Sequence, residues 1–114
     1  MNESEFNEKI DATLIAIEEA VEDSGADIDF ENANGILTLT CPDNSVVIIN
    51  RQSAANQLWV AAKSGGFHFD FNTEENQWLR DDSEQEPLAQ LLTRVVAEQS
   101  DETVDFAQAL ADLD

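Results

Sequence analysis

In the run DIDFEN, Asp27, Asp29 and Glu31 alternate with Ile28 and Phe30, and they follow a stretch that already carries Glu18, Glu19, Glu22 and Asp23, with Glu3 and Glu8 nearer the N-terminus. Carboxylate oxygens are hard ligands, so the chemistry open to such a set is the binding of hard cations. Same-face residues two apart on a strand stand about 6.6 to 7 Å from one another. That is too far for two of them to chelate one ion at bond lengths of roughly 2 Å. The spacing therefore predicts several weak, exposed sites, where an ion such as iron, manganese or cobalt meets one or two carboxylates plus water. The competing account is a solvated acidic face kept for solubility or salt adaptation.

Two further groups stand out. In NQLWVAAK, Trp59 shares a strand face with Ala61 and Lys63, and the amides Asn50, Gln52 and Gln57 lie beside it, a composition that resembles a protein-binding hot spot. The competing account is that a second apolar layer or the C-terminal tail covers Trp59. His68, in GGFHFDF, is expected with Asp70 on the face opposite Phe67, Phe69 and Phe71, where a lone histidine reads as an ordinary surface residue. Cys41, before Pro42, reads as an inert small hydrophobe. With one His, one Cys and no Tyr, and with no Walker loop, GxGxxG or HExxH, the chain offers almost nothing to nucleophilic or nucleotide chemistry.

These residues need elements to hold them. Phe6, Ile10, Leu14, Ile17 and Val21 recur at helical spacing from Glu3 to about Ser24, and Ser24-Gly25 supplies a stop. The segment from Asp27 to Thr40 reads as two strands about Asn34-Gly35, a pair suited to a type I′ turn. VVIIN, NQLWVAAK, FHFDF and QWLR complete about six strands joined by short turns, which implies antiparallel pairing. A second helix is expected from about Ser83 to Gln99, with Pro87 near its first turn and Glu84 and Glu86 at its positive end. Val104, Phe106, Leu110 and Leu113 mark a tail that folds back on the helices. The order of helix, strands and helix predicts an α+β fold, a two-layer α/β sandwich with two helices on one face of an antiparallel sheet.

Composition bounds the rest. In 114 residues, 25 Asp and Glu stand against 5 Lys and Arg, for a formal net charge of -20. A field of that sign repels nucleic acid and anionic membrane surfaces and attracts cations or basic protein patches. A hydrophobic share of 42% suffices for one core despite that charge. The single cysteine fits a reducing cytoplasm, and the acidic N-terminal sequence reads as no cleaved leader.

The run INRQSAANQLWVAAKSGGFHFDF, with Trp78, the acidic first helix and the element order, closely resembles the frataxin family. The Asn-Arg-Gln, Gln-x-Trp-x-Ala and Gly-Gly-aromatic-His-Phe-Asp elements carry the resemblance, which extends over essentially the whole chain and points to the bacterial branch. It implies one frataxin-like domain over residues 1–114, with 103–114 as the tail. It further implies a non-enzymatic, mainly monomeric cytoplasmic iron chaperone and regulator of iron-sulfur cluster assembly, open to iron-induced oligomerisation. Its labile iron (Fe2+ or Fe3+), replaceable by Co2+ or Mn2+, would sit on Glu18, Glu19, Glu22, Asp23, Asp27, Asp29 and Glu31, with Glu3 and Glu8 nearby. Its partners would be the cysteine desulfurase and the scaffold protein, met through Asn50, Gln52, Gln57 and Trp59 together with Glu19 and Glu22. A ferroxidase-like enzyme or an iron store is the alternative. One departure is Asn7, at a position where close bacterial relatives can carry a metal-assisting histidine.

Overall fold

The computed structural model describes residues 1–111; Leu113, assigned above to the tail, lies outside them. Helix α1 runs Glu3–Ser24. Asn2 caps it by accepting from the Glu5 amide at 2.8 Å while the Glu5 carboxylate accepts from the Asn2 amide at 3.1 Å, a reciprocal capping box. Gly25, at φ 71°, ends it in the left-handed conformation that glycine adopts without a Cβ clash. The expected stripe is buried and is joined by Thr13.

Six strands follow, β1 Asp29–Ala33, β2 Ile36–Thr40, β3 Val46–Gln52, β4 Gln57–Ala62, β5 Gly65–Asn72 and β6 Gln77–Arg80, all antiparallel and in spatial order β1 to β6. Asn34 and Gly35 turn the first hairpin with φ of 56° and 77°, the signs a type I′ turn requires. Helix α2, Leu88–Ser100, lies with α1 on one face of the sheet. Their stripes share a core with the inward residues of the sheet, among them Leu37, Leu39, Val47, Ile49, Leu58, Val60, Phe69 and Trp78. A short helix α3, Phe106–Ala111, packs against both α1 and α2 through buried Phe106 and Leu110.

Two boundaries differ from the sequence expectation. Asp27 is not a strand residue, because β1 begins at Asp29 and the Ile28 amide is turned back to the Ala26 carbonyl at 2.9 Å. The second helix starts at Leu88, with Pro87 as its N-cap, so Glu84 and Glu86 precede it. A residue before proline is disfavoured in the helical region, and tertiary bonds hold Glu86 elsewhere: its carboxylate accepts from Arg80 Nη1 and Arg94 Nη2, each at 2.9 Å. Burial alone would suppress the ionisation of Glu86 and push its pKa up, but the two guanidiniums outweigh it and its carboxyl titrates below the usual range.

The helix and sheet layers are also joined by a buried polar bond. Trp78 Nε1 donates to Thr13 Oγ1 at 3.0 Å, and Thr13 Oγ1 donates to the Lys9 carbonyl at 2.7 Å. Thr13→Val keeps the shape but leaves a buried indole N–H unpaired, so urea denaturation should show a loss of about 1 to 3 kcal/mol. In the β2–β3 turn, Asp43 accepts from the Ser45 hydroxyl and amide at 2.6 and 2.9 Å and from Lys63 Nζ at 3.2 Å. The Ser45 side-chain bond leads in lowering its pKa from 3.8 to about 2. A depressed carboxyl stabilises the fold above its ordinary pKa and ceases to do so as pH falls through the folded one. The gap in urea midpoint between wild type and Asp43→Asn should therefore be full above pH 3.8 and close as pH falls towards 2.

Candidate functional site: an acidic face and an amide–tryptophan patch

At 100° per residue, the acids of α1 spread over the side of the helix away from the core. Glu3, Glu8, Glu19, Glu22 and Asp23 are exposed, and Glu18 is half-buried. Glu18 leans to the sheet edge, where its carboxylate accepts from Asn32 Nδ2 of β1 at 3.0 Å. Glu19 and Asp23 turn the other way, lining an open groove between α1 and α3. Phe30 of β1 packs against the core, so the exposed Asp29 and Glu31 point to the opposite face of the sheet. Asp27 stands in the preceding turn, where its amide donates to Glu102 Oε2 at 2.7 Å. Through Glu18 the acids of α1 reach the free edge of β1, while Glu19 and Asp23 face α3 and Asp29 and Glu31 face the other side of the sheet. Among the described residues, no group of three or more His, Cys, Asp or Glu side chains is arranged to hold a metal ion.

The charge on this face is left bare because the chain's few cations are held elsewhere. Arg51 reaches from β3 to Asn7 and Asp11 of α1; Lys63 pairs with Asp43; Arg80 pairs with Asp82 and Glu86; Arg94 pairs with Glu86 and Glu98. Lys9 lies over the Phe71 ring, 4.9 Å from its centroid. Among the described residues, none of the five Lys and Arg side chains pairs with Glu18, Glu19, Glu22, Asp23, Asp27, Asp29 or Glu31. Asn7, at the position of the sequence departure, is a structural acceptor for Arg51 Nη1 at 3.0 Å.

On the outer face of the sheet the register gathers the four expected patch residues. Asn50 stands opposite Trp59 and Gln52 opposite Gln57, while on the other side of β4 His68 faces Trp59 and Asp70 faces Gln57. The Trp59 and His68 rings stack, with centroids 4.2 Å apart and planes 19° from parallel. Trp59 Nε1 donates to Gln57 Oε1 at 2.9 Å, and Gln57 Nε2 donates to Asp70 Oδ1 at 3.2 Å and Asp81 Oδ2 at 3.1 Å. The indole is half-buried and its donor is satisfied within the chain, so what it leaves exposed is ring surface. The sequence reading missed Asp81, which reaches the patch because it continues the β5–β6 pairing one residue past Arg80, its amide donating to the His68 carbonyl at 3.0 Å. It also missed Ile15, which sits one residue off the buried stripe and is 55% exposed.

Fold and site together define a two-layer α/β sandwich with an uncompensated acidic edge at β1 and a pre-ordered tryptophan patch centred on β4. Residues 1–102 match the family model described as a frataxin-like domain, and the chain belongs to the frataxin family. It is 48% identical over 106 residues to the iron-sulfur cluster assembly protein CyaY of Pseudomonas paraeruginosa and to that of Pseudomonas aeruginosa, an overlap spanning 93% of this chain and 97% of each relative. The solved structure of frataxin from Psychromonas ingrahamii superposes with a TM-score of 0.87 at 38% identity, covering 94% of this chain and 99% of that one. The family match ends before α3.

The two indoles offer a direct check on the patch. Gln57→Ala should shift the Trp59 indole N–H resonance in an amide correlation spectrum and leave that of Trp78, bonded to Thr13, in place.

Proposed function

We propose that this chain is an iron-binding accessory protein of iron-sulfur cluster assembly, which carries labile iron on its acidic edge and docks on the cysteine desulfurase and its scaffold partner. The observation that carries the reading is the bare charge of Glu18, Glu19, Glu22, Asp23, Asp27, Asp29 and Glu31, with Glu3 and Glu8 nearby, in a chain whose five cations are all engaged elsewhere. The names of its relatives support the pathway. Iron is cargo here. Each ion takes one or two carboxylate oxygens and completes its shell with water, so it is held weakly and given up readily, and Co2+ or Mn2+ can stand in for it. The same acids, with Glu19 and Glu22 among them, meet a basic surface on the desulfurase, while Asn50, Gln52, Gln57 and Trp59 meet the scaffold protein.

Cargo and docking compete, because each bound cation neutralises charge that the partner would use. The test is a titration with Fe2+ followed residue by residue by NMR, repeated with the desulfurase present. Resonances of the α1 and β1 acids should move in both titrations, and saturating Fe2+ should weaken the complex. Raised salt should weaken it too, since exposed charges are screened over about 8 to 10 Å. Neutralising the acids one by one should erode metal binding by degrees. Salt-insensitive docking would sink the electrostatic reading, and catalytic Fe2+ oxidation abolished by one or two of these changes would replace it with an oxidase.

A further inference from the structure

Ile15 is the most exposed large hydrophobic side chain among the described residues, at 55%. Its neighbours along the helix surface, four and seven residues away, are Asp11, Glu19, Glu8 and Glu22. A single exposed isoleucine is unremarkable on most surfaces. This one continues into the open groove of about 770 Å³ between α1 and α3, whose floor includes Ala12, Ala16, Ala20 and Ala109 and whose rim carries Glu19, Asp23 and Asp105. Alanine side chains let another backbone approach closely. No Lys or Arg lines the groove. Most of it is built from α1, and its other wall is Gln108 and Ala109 of α3 with Asp105 just before them, all beyond the family match that ends at residue 102.

We propose that Ile15 and the α1–α3 groove form an apolar anchor site that seats a Lys- or Arg-bearing amphipathic helix of the partner protein. Charge selects the occupant. The acidic rim favours a cationic segment, whereas a second copy of a chain with net charge -20 would bring more carboxylates against the same rim. The anchor also has a task that acids alone cannot perform. Rim charges set the encounter rate and its salt dependence, while a desolvated apolar contact ringed by them slows dissociation at any salt. The inference rests on the proposed docking to the desulfurase and adds to it a component that salt does not screen.

The test measures the Kd of the complex with purified cysteine desulfurase against NaCl concentration for wild type, Ile15→Gln, Glu19→Gln and Gln108→Arg. Ile15→Gln should raise Kd about fivefold or more at every salt concentration, leaving the slope of log Kd against log salt unchanged. Glu19→Gln should flatten that slope. Gln108→Arg, which puts a cation of the chain itself beside the groove, should also weaken binding. Both Ile15 and Gln108 are exposed, so the fold should tolerate these changes, as thermal unfolding of each variant will verify. A wild-type complex whose Kd moves less than twofold in Ile15→Gln overturns the anchor and leaves the docking intact. Absence of any wild-type complex overturns the docking and the anchor with it. A concentration-dependent dimer of the free chain, lost in Ile15→Gln, would assign the groove to a second copy and overturn the proposed occupant.

Discussion

Like-charge repulsion governs how this molecule is put together. Twenty-five carboxylates are offset by five Lys and Arg residues, so where each cation goes decides which surfaces are neutralised. The structure places them at joints: Arg51 ties β3 to α1, Lys63 braces the β2–β3 turn, and Arg80 and Arg94 converge on Glu86 to fasten the segment between β6 and α2. Surface ion pairs contribute little by themselves. Here their effect is positional, because Lys63, Arg80 and Arg94 fasten turn and loop segments around Asp43 and Glu86 that have few apolar residues of their own, and they leave the α1 and β1 edge without relief. Stability must then come from the core, where an apolar helix stripe meets an apolar sheet face and Thr13 and Trp78 close a buried polar bond between the layers.

That division explains why much of the fold is legible in the sequence and part of the site is not. Helical spacing from Phe6 to Val21, alternation in β1 and the Asn34-Gly35 turn are local signals, and each is realised in the structure. The alternation of β4 likewise places Trp59 on the outer face, and strand register then brings Asn50, Gln52 and Gln57 beside it. What the sequence leaves hidden is set by long-range partners. Glu86 and the chain before Pro87 look like a helix start until two arginines from different elements claim the carboxylate. Asp27 looks like a strand residue until the chain turns at Ala26. Asp81 joins the tryptophan patch, and Thr13 joins the core, through partners many residues away in the chain.

The acidic edge was visible as composition and only partly as geometry. Counting charges identifies a bare anionic field, but it does not separate Glu18, bonded to β1, from Glu19 and Asp23, which face α3. It is the alternation with Phe30, not the count, that puts Asp29 and Glu31 on the far side of the sheet. An acidic edge strand has a use of its own, since charge on a free edge discourages pairing with a strand of another chain.

The sheet order, β1 to β6 without a crossover, bears on how the chain reaches this state. Every strand pairs with its sequence neighbour, so each pairing closes only a short loop and loses little chain entropy. A sheet of this kind can zip from hairpin to hairpin, leaving the docking of α1 against α2 and α3 as the main step that joins distant parts of the chain. Because α1 precedes the sheet, its apolar stripe is synthesised before the surface that will cover it. The carboxylates along its outer side keep that waiting helix apart from others like it.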